Sequence, residues 1–161
     1  MAVFDWHELA ELAIARIKAS GAEYGDIRLL DSTVQSIAGE DRRISSVRES
    51  NDRGFGIRVL YHGGWGFAAS SICSVEEVPR VADLAVEIAR GSSSLAIEKV
   101  KLADEPVHHD SVATAMRIDP FVVSLEKKTD LLLETMEVLH QQAGVVRTKA
   151  GIWACRDRKL F

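Results

Sequence analysis

The chain has 161 residues, 47% hydrophobic and 27% charged, with 24 acidic side chains against 20 basic ones for a formal charge of -4. That length fits one domain able to bury roughly 70% of the surface its unfolded chain would expose. The two signs are mixed and no basic block stands out, which removes the electrostatic reason to expect nucleic-acid binding. The run Arg156-Asp157-Arg158-Lys159 is interrupted by an acid and reads as a solvated strand face.

The first eight residues, Met1-Ala2-Val3-Phe4-Asp5-Trp6-His7-Glu8, have neither the basic start nor the apolar core of a secretory signal. No apolar run approaches the ~20 residues that span a bilayer, so no membrane is expected. Cys73 and Cys155 form no close-spaced motif and are expected as reduced thiols in a cytoplasmic protein.

In chain order, the first element is a helix. Asp5 is placed to cap it, Glu8 has capping-box spacing, and Phe4 with Leu9 is set for a hydrophobic staple. Trp6, Leu9, Ala10, Ala13 and Ile17 share one face, and Gly21 is the stop. Strands follow over Tyr24 to Asp31, Thr33 to Ala38 and Ile44 to Glu49, separated by turn-forming residues. Gly56 to Tyr61 and Trp65 to Ser70 form a hairpin across His62-Gly63-Gly64. With Gly63-Gly64 as the turn, Tyr61 faces Gly66, Val59 faces Ala68 and Leu60 faces Phe67, so large residues oppose small ones on one side.

A second helix presents Val78, Val81, Ala82, Ala85, Ile88 and Ala89, with Gly91 as its stop. Its start is open between a Ser74/Glu77 capping box and Pro79 as first helical residue. A short strand is expected near Lys99 to Leu102, then loop around Pro106 and Pro120. Ser124 caps a third helix with the face Leu125, Thr129, Leu132, Met136 and Leu139, closed by Gly144. A last strand carries Val146, Ala150, Ile152 and Ala154, and Lys159-Leu160-Phe161 opens a further apolar stretch. The expected fold class is α/β (α+β): a mixed, mostly antiparallel sheet of about five or more strands with three helices. Its C-terminal edge is incomplete, the mark of a fragment.

The block from Gly54 to Ser70, GFGIRVLYHGGWGFAAS, resembles the N-terminal signature of the TldD/PmbA family, once called modulators of DNA gyrase. Gly21-Ala22-Glu23-Tyr24-Gly25-Asp26-Ile27-Arg28 agrees in order, as does Asp119-Pro120-Phe121 leading into Ser124 to Lys128. Trp65-Gly66-Phe67-Ala68 looks more like the TldD side than the PmbA (TldE) side. The resemblance implies an α/β N-terminal domain joined to a β-rich domain that carries zinc in an HExxxH motif. It also implies dimers of identical or of TldD- and TldE-type chains, and action on unfolded peptides in an internal cavity.

This chain has no HExxxH. After His7-Glu8 comes Glu11, followed by Leu12 where the motif would need its second His. No catalytic, cofactor-binding or metal-binding residue is therefore carried over, and zinc is expected only in a full-length family protein. His108-His109-Asp110 reads as a solvent-exposed loop, because adjacent histidines of an extended chain point opposite ways. The glycines from Gly54 to Gly66 punctuate strands and lack the strand-to-helix context of a phosphate loop. Ser70 and Ser71 have no nucleophile-elbow context. Tyr61, Trp65 and Phe67 read as core, and Arg58 as paired to a buried acid or placed at an interface. The functional expectation is a non-catalytic domain of a TldD-type zinc metallopeptidase, shaping a peptide cavity and a homodimer or a heterodimer with a TldE/PmbA-type chain. The alternative is a stand-alone binding or assembly module.

Overall fold

The computed structural model describes residues 5–106 and 108–161. Three helices and four strands follow the order α1 (Trp6–Ala19), β1 (Tyr24–Glu40), β2 (Arg43–Tyr61), β3 (Gly64–Ser70), α2 (Glu77–Leu95), α3 (Leu125–His140) and β4 (Lys149–Leu160). The strands form one antiparallel sheet in the order β3-β2-β1-β4, which makes the fold α+β. Among the described residues four strands are found where five or more were expected, because two pairs of expected strands are continuous. Asp31-Ser32 does not turn the chain but lies inside β1, and Ser50-Asn51-Asp52 lies inside β2. Their polar side chains bond across the two strands instead: Arg53 Nη2 donates to Asp31 Oδ2 at 3.0 Å, and Asn51 Nδ2 to Thr33 Oγ1 at 2.9 Å.

The chain divides into two compact units. The first comprises Met1–Asp31, Asp52–Pro106 and Asp157–Phe161. Its core joins Leu9, Ala13 and Ile17 of α1 to Ile27, Leu29, Ile57 and Val59 of the sheet and to Val78, Val81, Ala82, Ala85, Val86 and Ala89 of α2. Asp5 caps α1 as expected, accepting from the backbone amides of His7 (2.9 Å) and Glu8 (3.4 Å). The Phe4 half of the expected staple lies outside the described residues. Gly21 follows α1 with φ +79°, the left-handed conformation that ends helices at little cost for glycine.

The hairpin differs from its expected register. Tyr61 pairs with Gly64, Leu60 with Trp65, Val59 with Gly66 and Arg58 with Phe67. The turn residues are His62 (φ 45°) and Gly63 (φ 81°), both in the left-handed region that a type I′ turn demands. Gly64 is needed elsewhere: a Cβ there would sit 2.2 Å from the Ser93 amide nitrogen, and one at Gly66 would sit 2.0 Å from the Ala85 carbonyl oxygen. These two glycines let α2 lie directly on β3. Because the slip is two residues, large still faces small (Val59/Gly66, Ile57/Ala68) on the helix side.

α2 begins two residues before Pro79, with Ser74 Oγ accepting from the Glu77 amide at 3.2 Å. It passes through Gly91 and ends at Leu95. Ile88 is 40% exposed and Val86 takes its expected place in the core. At the helix start Glu77 holds both Arg80 Nε and Nη2 at 2.7 Å. The Arg80 hydrogen bond, helped by the Ser70 hydroxyl, lowers the Glu77 carboxyl from its ordinary 4.5 to about 2. A carboxyl depressed on folding stabilises the fold above its unfolded pKa, and that contribution fades as pH falls through the folded value. An acid titration followed by NMR is therefore expected to find Glu77 still ionised at pH 3, and Arg80→Ala is expected to return it toward 4.5. An unshifted titration in the unaltered chain would remove this pair from the helix start.

The second unit comprises Ser32–Asn51 and Val107–Arg156. Its core is small: Ile37, Leu132 and Met136, with Ile44, Leu133, Ala150 and Ile152 packed against them. Ser124 caps α3 as expected, accepting from the Lys127 amide at 3.3 Å. The inward face, however, is Lys128, Leu132 and Met136, while Leu125 and Leu139 are exposed. Lys128 is 5% exposed: its stem covers apolar surface and its ammonium donates to Gln35 Oε1, whose amide nitrogen donates to Glu49 at 2.9 Å. Val146 is exposed and precedes β4, whereas Lys159-Leu160 continues β4 rather than opening a new strand. Residues Lys99 to Leu102 form no strand.

Candidate functional site

In the first unit, α1 and α2 cover one face of the sheet. The other face carries a stripe of side chains that begins at Trp65 on β3 and crosses to β1. Alternation along β1 puts Tyr24, Asp26 and Arg28 on this side while Ile27 and Leu29 enter the core. On β2 the same alternation brings Arg58 out between the buried Ile57 and Val59.

Arg58 is the hub. Its Nε and Nη2 donate to Asp26 Oδ2 at 2.9 and 2.8 Å. Its guanidinium carbon lies 4.9 Å from the Trp65 ring centre and 5.9 Å from that of Tyr24, and the two rings meet edge to face at 5.9 Å. The Asp26 hydrogen bond raises the Arg58 pKa further above its ordinary value. Tyr24 is pushed up by burial, then by Asp26, and stays a neutral phenol at physiological pH. Asp26 also accepts from Arg28 Nε at 3.3 Å, and Arg28 lies 5.5 Å from the Phe161 ring centre. The outcome for Arg58 is an ion pair with a largely buried acid, one of the two roles read from the sequence.

Phe67 was expected in the core and is 61% exposed. Its ring lies over Gly56, where a Cβ would come within 2.9 Å of it. Tyr61 does pack against the core. Rings and guanidinium groups of this kind have the chemistry to stack and to donate hydrogen bonds. Asp26 was visible in the sequence only as part of an ordered segment; its parity with Tyr24 and Arg28 was the available signal for its place here.

The remaining candidates are scattered. His108, His109 and Asp110 are exposed, and among the described residues no three His, Cys, Asp or Glu side chains gather as a metal site. The residues present thus do not fit a zinc centre of the family type. Cys73 is a buried thiol, its pKa raised by burial, and Cys155 is an exposed thiol whose Sγ lies 3.8 Å from Ser32 Oγ. Gly54 to Gly66 spans two strands and their turn, not a strand-to-helix loop. Ser70 Oγ accepts from the Ile72 amide at 3.1 Å and leads into α2. Within the Arg156-to-Lys159 run, Arg156 pairs with Asp119, Lys159 with Asp157 at 3.1 Å, and Arg158 lies over Trp6. Among the described residues no helix is long and apolar enough to cross a membrane.

Residues 25–89, which contain Asp26, Arg58, Trp65 and Phe67, match the family model for PmbA/TldA metallopeptidase domain 1. These residues carry the TldD/PmbA first-domain signature. Two archaeal relatives of this TldD/PmbA domain are named metalloproteases. That of Methanocaldococcus jannaschii is 29% identical over 113 residues, covering 70% of this chain and 25% of the relative. That of Methanothermobacter thermautotrophicus is 36% identical over 73 residues, 45% of this chain and 15% of the relative. Among solved structures, a protein titled as a modulator of DNA gyrase from Bacteroides thetaiotaomicron superposes with a TM-score of 0.76 at 13% identity. The match covers 99% of this chain and 37% of that one. TldE from Thermococcus kodakarensis gives 0.61 at 14% identity over 92% and 34%. At such identities the structures establish the TldD/PmbA fold alone. The chain spans about a quarter of the M. jannaschii relative and about a third of the solved ones.

Proposed function

We propose that this domain is the non-catalytic N-terminal part of a TldD-type zinc metallopeptidase that acts on unfolded peptides, and that it helps form the peptide cavity and the dimer. The observation carrying this reading is the match of residues 25–89 to a metallopeptidase first domain, which includes the Arg58-Asp26-Trp65 stripe. A face of rings and guanidinium groups suits contact with another protein surface, either a second copy or a TldE/PmbA-type chain. The zinc, its ligands and the peptide-bond chemistry belong to a second, catalytic portion, and the assembly works in the cytoplasm.

The test is a mixing experiment with the purified chain and an unfolded peptide. Alone, the chain is expected to give no chelator-sensitive cleavage, and it is expected to form a stable complex with itself or with a TldE-type chain. Chelator-sensitive cleavage by the chain alone would overturn the non-catalytic reading. A monomer that binds neither family chain would overturn the assembly reading in favour of a stand-alone module.

A further inference from the structure

The two edges of the sheet are chemically unlike. β4 carries Lys149, Arg156, Asp157, Arg158 and Lys159, a charged edge of the kind that resists pairing with other chains. β3 has no charged residue and no proline in Gly64-Trp65-Gly66-Phe67-Ala68-Ala69-Ser70. An uncharged edge beside an exposed Phe67 is an open template for another strand, and α2 covers only its helix-side face.

A candidate strand of the same unit already touches this edge. After α2 ends, the chain returns to the start of β3, and the Val100 amide donates to the Gly63 carbonyl at 3.2 Å. The approach is close: a Cβ on Gly63 would lie 2.5 Å from that of Lys99. An amide bonded to the carbonyl one residue before Gly64 is the first rung of a parallel ladder that sets Val100 beside Gly64. The connection from β3 through the 19-residue α2 has the length and helical content that parallel neighbours require.

Extending that register gives a consistent pattern. Val100 and Leu102 fall beside Gly64 and Gly66, on the face that meets α2. Lys99 and Lys101 fall on the opposite side, where Lys101 comes beside Trp65 and next to Phe67, in reach of their ring faces. In a two-residue hairpin the residues flanking the turn, Tyr61 and Gly64, bond to each other, so the Trp65, Phe67 and Ala69 amides point away from β2. Those are the donors that a parallel partner starting at Val100 would satisfy.

We propose that residues Ile97–Leu102 are a strap that closes onto the free edge of β3 as a parallel fifth strand, with Val100 beside Gly64. The closed strap withholds the uncharged edge from strands of other chains, and the open strap offers it. This inference is independent of the peptidase reading, since it rests on the edge and the rung alone.

Amide hydrogen exchange measured by NMR on the whole chain tests it. The Trp65 and Phe67 amides are expected to exchange at least tenfold more slowly than in an unstructured peptide. Val100→Pro, which removes the donor of the first rung, is expected to return both to the unstructured rate while the Gly64 amide, directed at β2, stays protected. Leu102→Pro, one rung further, is expected to free Phe67 and leave Trp65 slow, which keeps the test decisive if Val100→Pro perturbs the hairpin. Unprotected Trp65 and Phe67 in the unaltered chain would overturn the strap, and so would protection that survives both substitutions.

Discussion

Gly66→Val is expected to destabilise the first unit by about 3 kcal/mol or more. The new Cβ would lie 2.0 Å from the Ala85 carbonyl oxygen and 2.5 Å from the Ala89 nitrogen. Both are helix backbone, so no rotamer change relieves the overlap; α2 must lift from β3 and expose Ala82, Ala85 and Ala89. Gly91→Ala has the opposite expected sign. That glycine is inside α2 with nothing within 4 Å of an added Cβ, so alanine is expected to stabilise by about 0.5–1 kcal/mol through helix propensity. Urea unfolding followed by tryptophan fluorescence reads both. An unchanged midpoint for Gly66→Val would mean that α2 is not seated on β3.

Met136→Ala is expected to cost about 2–5 kcal/mol. Met136 is fully buried in a cluster whose other buried members among the described residues are Ile37 and Leu132, and its thioether fills the space above Gly39. So small a core has little else to hold α3 to the sheet, and Lys128 must lose its contact with Gln35 if the helix departs. Hydrogen exchange is the measurement: the amides of α3 and of residues 149–156 are expected to lose protection before those of α1 and α2. Simultaneous loss throughout would show instead that the two units open as one.

Much of this architecture was legible in the sequence because local signals agree with burial. Asp5, Gly21 and Ser124 each mark a helix boundary that the structure keeps, and Leu9, Ala13 and Ile17 bury as their spacing requires. The misreadings share a cause: residues with strong local preferences are used for long-range contacts. Asp31, Ser32, Asn51 and Asp52 look like turn formers but lie within long strands, at the positions where the chain passes between its two units. Gly64 looks like a turn residue, yet its missing side chain serves the approach of α2 and leaves the turn to His62-Gly63. Lys128 has a surface composition and a core position, which only the distant Gln35 explains. The Arg58 stripe was half visible, since one strand shows the guanidinium but not that Asp26, 32 positions away, would meet it.

The first unit is built from three separate stretches, and Leu160 from the last of them packs against the core of α1 and α2. During synthesis from the N-terminus, the helices and hairpin of that unit therefore emerge long before the strand end that completes them. The larger stretch of the second unit, residues 107–156, is made in between. A ribosome-bound intermediate must hold its apolar faces together without this closing piece, and the non-local pairing sets a slow, late step in folding. Final consolidation of Leu9, Ala13 and Ile17 thus depends on a segment made much later in the chain.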